Sequence, residues 1–355
     1  MLGWPTRPRV AEAEAMTTIS EFQAGPAQDA VTPDQIFQLA QGFMASKHLF
    51  AASELGLFEA LGEGPADLAG LAARTGLTPR TARISADAMV ALGLLERHAD
   101  RYANTPAAAA FLAGGTAADL RPLLRFWDRL SYPAWGDLAG ALGRGRPEHQ
   151  VFDIDDELVP IMSAGIEAAT TAACRALAGV AGLPPGSRVL DIGGGTGSWA
   201  VALAAADPSL TATVFERPEV AAVAEEHLRT GRFSGRIDVL AGDLLAGDLP
   251  RGYNAFLLAN VVHYFTPDTN QSNLRKIREA TDPGARLLIA DFWTDSTHTR
   301  PVPAALMAGE FAIHLNDGDV YSVDEVTAWL KDSGWNVTGH VPLAGPISLV
   351  AAEAI

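Results

Sequence analysis

The sequence predicts an α/β protein in which a doubly wound, mostly parallel sheet of seven strands follows a mainly helical N-terminal domain. Two observations lead to this fold class. Apolar residues repeat at helical spacing in the N-terminal part of the chain, and from Ser187 onward short apolar strands alternate with helices. Such alternation is typical of a parallel sheet with helices on both faces. The length of 355 residues, 48 % of them hydrophobic, leaves room for about two domains.

Composition and charge limit the kinds of molecule that the protein can bind and the compartment in which it is expected. The formal net charge of −16 repels phosphate backbones and anionic lipid, which disfavours nucleic acid or a membrane as a partner. The longest wholly apolar runs are far shorter than the ~18 residues of a membrane span. The single cysteine, Cys174, excludes an internal disulfide. Residues 1–30 lack the pattern of a secretory signal, and we expect them to be a mobile arm on a cytoplasmic protein.

Residues 31–118 have the outline of a winged helix. Helical periodicity begins at Pro33 and a short hairpin lies at 94–103, with further helices predicted over Lys47–Leu61, Asp67–Arg74 and Arg80–Leu92. Winged helices often bind DNA, but residues 64–104 carry five arginines against four acidic residues, a net charge of only +1. We therefore interpret this region as a dimerisation domain. Residues 119–182 are predicted to be a helical linker and pocket lid.

Residues 183–355 are predicted to form the sheet domain. Its last two strands are close enough in sequence to pair antiparallel. Ligands of such sheets bind at the carboxyl ends of the strands, so the residues that follow each strand are candidate site residues. The predicted strands are Arg188–Ile192, Thr211–Glu216, Ile237–Leu240, Ala255–Val262, Arg286–Phe292, Asn336–Val341 and Ile347–Ala352.

A glycine-rich loop follows the first of these strands, in the sequence V-L-D-I-G-G-G-T-G of residues 189–197. Glycines between a strand and a helix allow positive φ and let a ligand lie against bare backbone. Gly193, Gly195 and Gly197 have the spacing G-x-G-x-G, which differs from the G-x-G-x-x-G of a dinucleotide loop. Asp191, two residues before the first glycine, suits a ligand with an ammonium group rather than a pyrophosphate.

Acidic residues follow the next two strands. Glu216 closes the second strand, where an acidic side chain can accept hydrogen bonds from both hydroxyls of a ribose. Asp243 follows the third strand and is placed to bond an exocyclic amine, while Leu244 could lie on the face of an adenine. The loop and the two acids together predict a site for a nucleoside with a cationic amino-acid tail, which is S-adenosylmethionine (SAM).

With these motifs the chain resembles the SAM-dependent small-molecule O-methyltransferases of plants and of bacterial natural-product pathways. The resemblance extends from about Pro33 to the C-terminus, and it implies a Rossmann-like class I methyltransferase domain behind a winged-helix dimerisation domain. It also implies a small-molecule acceptor and a homodimer whose N-terminal helices help to close the partner's pocket. The cofactor contacts that it implies are Asp191, Gly193, Gly195, Glu216, Asp243 and Leu244.

The fourth strand leads into His263, which we expect to face the cleft at the carboxyl end of the sheet. An imidazole there can take a proton from an acceptor as the methyl group arrives. The family carries its catalytic histidine here, usually as His-Asp-Trp, and Asp291 has the position of an acid that orients it. The departures from the family pattern are Tyr264 and Phe265 in place of Asp-Trp, Ala259 in place of a cofactor-contacting lysine, and Val320 in place of a second orienting acid.

His314 and Glu310 suggest a second chemistry. They lie one turn apart on a helix predicted from Ala304, and with His263 they could hold a divalent metal ion such as zinc or iron. A metal there would chelate a 2-oxo acid and stabilise its enolate. The arrangement resembles that of a minority branch of this family, whose members use a metal ion to methylate the β-carbon of 2-oxo acids.

The missing acid at Val320 and the altered His-Tyr-Phe sequence favour such metal-assisted C-methylation. The alternative is O-methylation of a phenolic or other hydroxyl with His263 as general base. A further alternative is a catalytically silent SAM-binding relative.

The acceptor pocket is expected to be apolar, because methionine and aromatic faces suit a sulfonium methyl group and an apolar acceptor. The same side chains would equally serve a core. The candidates are Phe126, Trp127, Trp135, Met162, Met307 and Phe311.

Overall fold

The computed structural model describes residues 32–150, 155, 157–229, 233 and 235–355. The expected mobile arm, residues 1–30, lies outside the described residues. Among the described residues, 32–47 belong to one compact unit and those from 48 to 355 to a second. None of the helices in the described ranges has the length and apolar character that crossing a membrane requires.

The N-terminal region is helical with a small antiparallel sheet, and its strands lie in the order β1-β3-β2. Its elements are α1 (Asp34–Glu54), α2 (Leu57–Gly62), β1 (Ala66–Asp67), α3 (Leu68–Thr75), α4 (Pro79–Ala91), β2 (Leu95–His98), β3 (Arg101–Asn104) and α5 (Pro106–Phe111). The Asp67 carboxylate accepts a hydrogen bond from the Gly70 N–H at 2.7 Å, which caps α3. Gly56, with a φ of 70°, separates α1 from α2, so the helix predicted over Lys47–Leu61 is interrupted.

A second helical region includes one π-helix. Its elements are α6 (Arg121–Phe126), the π-helix Trp127–Ser131, α7 (Tyr132–Trp135), α8 (Leu138–Arg144) and α9 (Val159–Val180). A Cβ atom on Gly165 of α9 would lie 2.3 Å from Cβ of Phe126. The absence of a side chain at Gly165 therefore lets α6 approach α9 closely. A π-helix is uncommon and often lies at a functional site.

The sheet domain has the predicted seven-stranded, mostly parallel sheet. Its strands are β4 (Arg188–Ile192), β5 (Thr211–Glu216), β6 (Ile237–Ala241), β7 (Ala255–Ala259), β8 (Arg286–Thr294), β10 (Trp335–Ala344) and β11 (Ile347–Ala354), and a short strand, β9 (Tyr321–Ser322), pairs with β8 outside this path. The order is β10-β11-β8-β7-β4-β5-β6. Strands β4 to β8 pair in parallel, whereas β11 pairs antiparallel with both β8 and β10, as the short connection between the last two strands predicted.

Helices cover both faces of this sheet. They are α10 (Ser198–Ala206), α11 (Pro218–Arg229), α12 (Pro267–Glu279), α13 (Val302–Ala312) and α14 (Val323–Asp332). Alternate residues of β4 enter opposite core layers, with Val189 in one and Leu190 in the other, which accounts for the continuous apolar run of a strand buried on both sides.

Two elements end earlier than the sequence predicts. Strand β7 ends at Ala259 because Asn260 adopts a left-handed φ of 54°, and a 3₁₀ turn at Val262–Tyr264 follows. Helix α13 ends at Ala312, so His314 lies just beyond the helix that was predicted to contain it. Because β7 ends early, His263 lies in the turn that follows the carboxyl end of β7 rather than just after a longer strand.

Candidate active site

The glycine loop connects β4 to α10 in a conformation that requires its glycines. Gly193, Gly195 and Gly197 have φ values of 68°, 55° and 85°, a region that other residues rarely adopt. A Cβ atom on Gly193 would lie 2.9 Å from Cγ2 of Val261, whereas one on Gly195 would meet nothing within 4 Å. The loop therefore presents bare backbone next to open space at Gly195.

Asp191 lies beneath this loop, fully buried, and neither of its carboxylate oxygens accepts a hydrogen bond of good geometry. Burial raises the pKa of Asp191 from 3.8 to about 7; the nearby backbone N–H of Ala200 opposes this shift and the negative charge of Glu216 adds to it. A buried carboxylate without a partner is unfavourable unless a cation joins it. The site thus fits the ammonium group of the ligand that the sequence predicts.

Glu216, at the end of β5, is fixed by backbone donors on both sides. Its Oε2 atom accepts a hydrogen bond from the Gly195 N–H at 3.1 Å, and its Oε1 atom accepts one from the Arg217 N–H at 2.8 Å. The structure therefore brings Glu216 to the same loop as Asp191, Gly193 and Gly195. The carboxylate retains acceptor capacity for a ribose hydroxyl.

Asp243 and Leu244 follow β6, the strand next to β5. The Leu245 N–H donates to Oδ1 of Asp243 at 2.8 Å, which orders the turn after the strand. Leu244 packs against the core beneath the sheet, and its carbonyl accepts a hydrogen bond from Nζ of Lys276 at 2.7 Å. Both residues thus lie at the carboxyl edge of the sheet. The predicted contacts with the cofactor require this position.

His263 and Asp291 form a buried pair: His263 lies in the 3₁₀ turn after β7, and Asp291 lies in β8 next to the last residue of that strand that pairs with β7. The imidazole Nδ1 lies 2.8 Å from Oδ1 of Asp291, and the side chains are 7 % and 1 % exposed. Oδ2 of Asp291 also accepts hydrogen bonds from the backbone N–H groups of Val262, at 2.9 Å, and His263, at 3.3 Å. We assign the imidazole proton to Nδ1 because a carboxylate can only accept, and this leaves the lone pair of Nε2 able to take a proton.

Aromatic rings cover both faces of the His263 imidazole. The Phe311 ring is stacked on it with centroids 4.0 Å apart and planes 7° apart, and the Tyr264 ring lies at 4.5 Å and 30°. Two six-membered rings this close cannot share one face, so they lie on opposite faces. The Phe292 ring meets the imidazole in a T-shaped arrangement, with the ring centroids 5.9 Å apart. The orientation of the imidazole is therefore fixed by packing as well as by Asp291.

Glu310 and His314 do come together, but as part of a different arrangement from the predicted metal site. Nε2 of His314 lies 3.2 Å from Oε1 of Glu310, an ion-pair distance without hydrogen-bond geometry. The Glu310 carboxylate accepts hydrogen bonds from Oγ of Ser131 at 2.6 Å and from Nε1 of Trp135 at 2.5 Å.

The prediction of a metal ion held by His263, His314 and Glu310 is therefore corrected. In the part of the chain that the structure describes, no group of three or more His, Cys, Asp or Glu side chains is placed to hold a metal ion. The Glu310 carboxylate is instead engaged by two neutral donors, Ser131 and Trp135, and by His314 of its own segment. This donor set does not fit the metal.

The predicted pocket residues fall into two groups. Phe311 and Met307 lie in one cluster on α13 with Tyr264 and Phe292, and Trp135 lies against the same helix at Gly309, where a Cβ atom would be 2.8 Å from its ring. Phe126 instead packs against Gly165, Trp127 is 38 % exposed, and Met162 is half-buried on α9. These contacts place Phe311, Met307 and Trp135 at His263 or at α13, which covers it, but they do not place Phe126, Trp127 and Met162 there.

Three residues near His263 have roles that the sequence analysis did not predict. Tyr264 stood out only as a departure from the family pattern, and its place on the imidazole face could not be foreseen. Phe292, directly after Asp291, contacts the imidazole from the edge. Ser131 donates to Glu310 across 179 residues of chain, and no local motif marks it.

Family models match most of the chain. The O-methyltransferase dimerisation domain matches residues 37–114, and the O-methyltransferase domain matches residues 142–336, which is more than half of the chain. The chain therefore belongs to the O-methyltransferase family of SAM-dependent methyltransferases, and the predicted family, enzyme class and fold class are confirmed.

Individual relatives are similar over almost their whole length. The 3-hydroxy-5-methyl-1-naphthoate 3-O-methyltransferase of Streptomyces sahachiroi is 33 % identical over 320 residues, which cover 88 % of this chain and 92 % of the relative. The tetracenomycin polyketide synthesis 8-O-methyl transferase of Streptomyces glaucescens is 31 % identical over 324 residues, 89 % and 95 % of the two chains. The crystal structure of the S-adenosylmethionine-dependent methyltransferase SibL in its apo form superposes with a TM-score of 0.79 at 28 % identity, covering 91 % and 99 %.

Proposed function

We propose that the chain methylates a hydroxyl group of a small, flat acceptor in secondary metabolism, with SAM as methyl donor and His263 as general base. The observation that carries the proposal is the buried His263–Asp291 pair, whose 2.8 Å contact leaves Nε2 as the free basic atom. The two Streptomyces relatives support it, because both carry an O-methyltransferase name and one is named for a hydroxynaphthoate.

The proposed cofactor site consists of Asp191, the glycine loop, Glu216 and the turn at Asp243 and Leu244. Asp191 would pair with the ammonium group, and the Glu216 carboxylate would accept from the ribose hydroxyls. SAM supplies an activated methyl group when it is bound, because its sulfonium is a good leaving group. Holding that methyl group in line with the acceptor is the main task left to the protein.

The proposed role of His263 concerns the acceptor proton. Nε2 of His263 would accept the hydroxyl proton, which makes the acceptor oxygen nucleophilic toward the methyl group that bound SAM would supply, with the SAM sulfur as leaving group. The Asp291 carboxylate holds the ring and stabilises the imidazolium that results. Phe311 and Tyr264, on the two faces of the ring, favour the same cation through their π systems.

The acceptor pocket is proposed to be built on the cluster around α13. Phe311, Met307 and Phe292 supply apolar and aromatic surface next to His263, and Trp135 extends it. Planar walls of this kind suit a planar aromatic acceptor. O-methylation is preferred to C-methylation of a 2-oxo acid because the donor set at His263, His314 and Glu310 does not fit the metal that the latter chemistry would use.

A homodimer is proposed for the assembly. Helix α1 exposes Ile36, Phe37, Leu39, Phe43 and Met44, each with at least 51 % of its surface accessible. An apolar helix face of this size is unusual on the surface of a monomer. The match of residues 37–114 to a dimerisation domain supports the proposal. We also propose residues 31–118, 119–182 and 183–355 as the dimerisation, lid and methyltransferase domains.

The test is product formation with paired acceptors. The protein is incubated with SAM and either 3-hydroxy-5-methyl-1-naphthoate or 5-methyl-1-naphthoate, and with further phenols each paired with its deoxy counterpart. We expect S-adenosylhomocysteine and a methyl ether with at least one hydroxylated member and with none of the deoxy members. Methylation at carbon or nitrogen with every hydroxyl left unmodified, or no turnover with any member, would overturn the proposal.

A further inference from the structure

Glu310 is a buried carboxylate that binds the second helical region to α13. It is 8 % exposed and accepts hydrogen bonds from Ser131 at 2.6 Å and from Trp135 at 2.5 Å. Ser131 closes the π-helix and is 2 % exposed, and Trp135 ends α7. We call residues 127–135, the π-helix and α7 together, the lid segment.

The contacts of Glu310 keep it ionised in spite of its burial. Burial alone would raise the pKa of this carboxyl group, but the contacts with His314, Ser131 and Trp135 outweigh it and the pKa is lowered. A buried anion contributes little net stability compared with an apolar residue of the same shape. Its presence at this position therefore calls for a role other than stability.

The helical geometry indicates what that role is. Successive residues of an α-helix point about 100° apart, so Glu310 and Phe311 face different neighbours. Glu310 faces the lid segment, while Phe311 is stacked on the imidazole of His263 at 4.0 Å. Gly309 contributes as well, because its missing side chain lets the Trp135 ring lie against α13. Anchoring Glu310 thus fixes the rotation of α13 about its own axis, and with it the direction of Phe311.

We propose that Glu310 is a positioning residue that ties α13 to the lid segment through Ser131 and Trp135 and thereby holds Phe311 on the face of the His263 imidazole. The inference rests on the proposed function in so far as His263 is the base. The position of the imidazole would then depend on a contact between two parts of the chain that are 179 residues apart.

The test is the ring-current shift of His263, which requires no acceptor. The full chain is labelled with [¹³Cε1]-histidine, and the His263 signal among the eight histidines is assigned with the His263→Gln variant. Stacking on Phe311 and Tyr264 should place the Hε1 resonance upfield, and Phe311→Leu should move it downfield. We expect Glu310→Leu, which is close in size but accepts no hydrogen bond, to move it downfield by at least half as much.

Two further variants and a control complete the test. Ser131→Ala and Trp135→Phe each remove one donor to Glu310 and should shift the resonance in the same direction, so the test stands even if Glu310→Leu does not fold. Glu226→Gln, at an exposed ion pair with Arg229, should leave the resonance in place. A wild-type resonance in folded Glu310→Leu, or in both donor variants, would overturn the inference.

The inference and the proposed function can fail separately. Turnover that survives in His263→Ala would remove His263 as the base without touching the resonance result. Loss of turnover in His263→Ala together with an unmoved resonance in the Glu310 and donor variants would remove only the positioning role.

Discussion

The ring of Phe311 lies flat on the imidazole of His263, with the two planes 7° apart and the centroids 4.0 Å apart. Because Tyr264 covers the other face and Asp291 holds Nδ1, the imidazole can be approached only at its Nε2 edge. An acceptor must therefore meet His263 in the plane of the ring. The proton of the acceptor can therefore pass only to Nε2, and the next two predictions test the roles of His263 and Asp291 in that transfer.

Replacing His263 by alanine should separate cofactor binding from turnover. The glycine loop and its acids do not depend on the imidazole, so the dissociation constant for SAM should change less than about twofold. Turnover should fall by about tenfold or more, because no other group takes the acceptor proton. Calorimetry and S-adenosylhomocysteine release measure the two effects, and turnover equal to that of the wild type would exclude His263 from the reaction.

Replacing Asp291 by asparagine should lower kcat by roughly 10- to 100-fold. The amide keeps the size of the side chain, but it no longer favours the proton on Nδ1 or stabilises the imidazolium. The affinity for SAM should remain within about twofold. Steady-state kinetics at saturating SAM provide the measurement, and an unchanged kcat would show that Asp291 has no part beyond its backbone contacts.

Asp191→Asn should make the unliganded protein more stable at pH 8 while weakening SAM binding. Folding raises the pKa of Asp191 from 3.8 to about 7. Between these values the folded state holds a proton that the unfolded state has released, so stability falls as pH rises from about 4 to 7. The loss amounts to about 4 kcal/mol at most. Thermal unfolding from pH 5 to pH 8 should show a weaker dependence in the variant.

The same carboxyl group predicts the pH dependence of cofactor affinity. Pairing with an ammonium group needs ionised Asp191, so the dissociation constant for SAM should decrease by about tenfold as pH rises from about 5.5 to 7.5. Asp191→Asn should remove most of this dependence. Equal pH dependence in both proteins would mean that the cation of the ligand lies elsewhere.

Gly242→Ala should destabilise the sheet domain by about 1–3 kcal/mol. A Cβ atom at Gly242 would lie 2.1 Å from the Phe215 ring, which is buried and cannot move aside. Gly179→Ala in α9 is the matched control, because a Cβ atom there meets nothing within 4 Å and alanine favours a helix. Chemical denaturation compares the two, and equal stability of the Gly242 variant and the wild type would contradict the packing described.

Charges on the exposed face of α1 should disrupt the proposed homodimer. Phe37→Asp combined with Phe43→Asp places two carboxylates on the apolar face, whereas Gln41→Asp alters a polar, exposed position of the same helix. Light scattering after size-exclusion chromatography should give a dimer for the wild type and the control, and a monomer for the double variant. A monomeric wild-type protein would contradict the proposed homodimer.

Local sequence patterns were sufficient to predict the sheet and the glycine loop. Alternation of strands and helices is a short-range property, and the spacing of Gly193, Gly195 and Gly197 is visible without any tertiary information. The pairing of His263 with Asp291 was implied by the resemblance to the family rather than by a local pattern. The structure gives its physical reason, because β7 and β8 are neighbours in the sheet and Asp291 follows the last residue of β8 that pairs with β7.

The surroundings of Glu310 could not be predicted in the same way. Its spacing to His314 was recognised correctly, but the donors that complete its environment, Ser131 and Trp135, come from a helical segment more than 170 residues earlier. Which helices meet is decided by the packing of the whole chain. A pattern of two imidazoles and a carboxylate therefore suggested a metal site where the structure has a buried anion bound by neutral donors.

The backbone tethers on Glu216 have a consequence for recognition. With one oxygen held by the Gly195 N–H and the other by the Arg217 N–H, this side chain has already lost the rotamer freedom that complex formation would otherwise remove. Preordering of one such side chain is worth about 0.5–1.5 kcal/mol in affinity. The same rigidity should make the proposed cofactor site selective for carbohydrate stereochemistry, because a carboxylate held at both oxygens cannot reorient toward the hydroxyl of a sugar epimer.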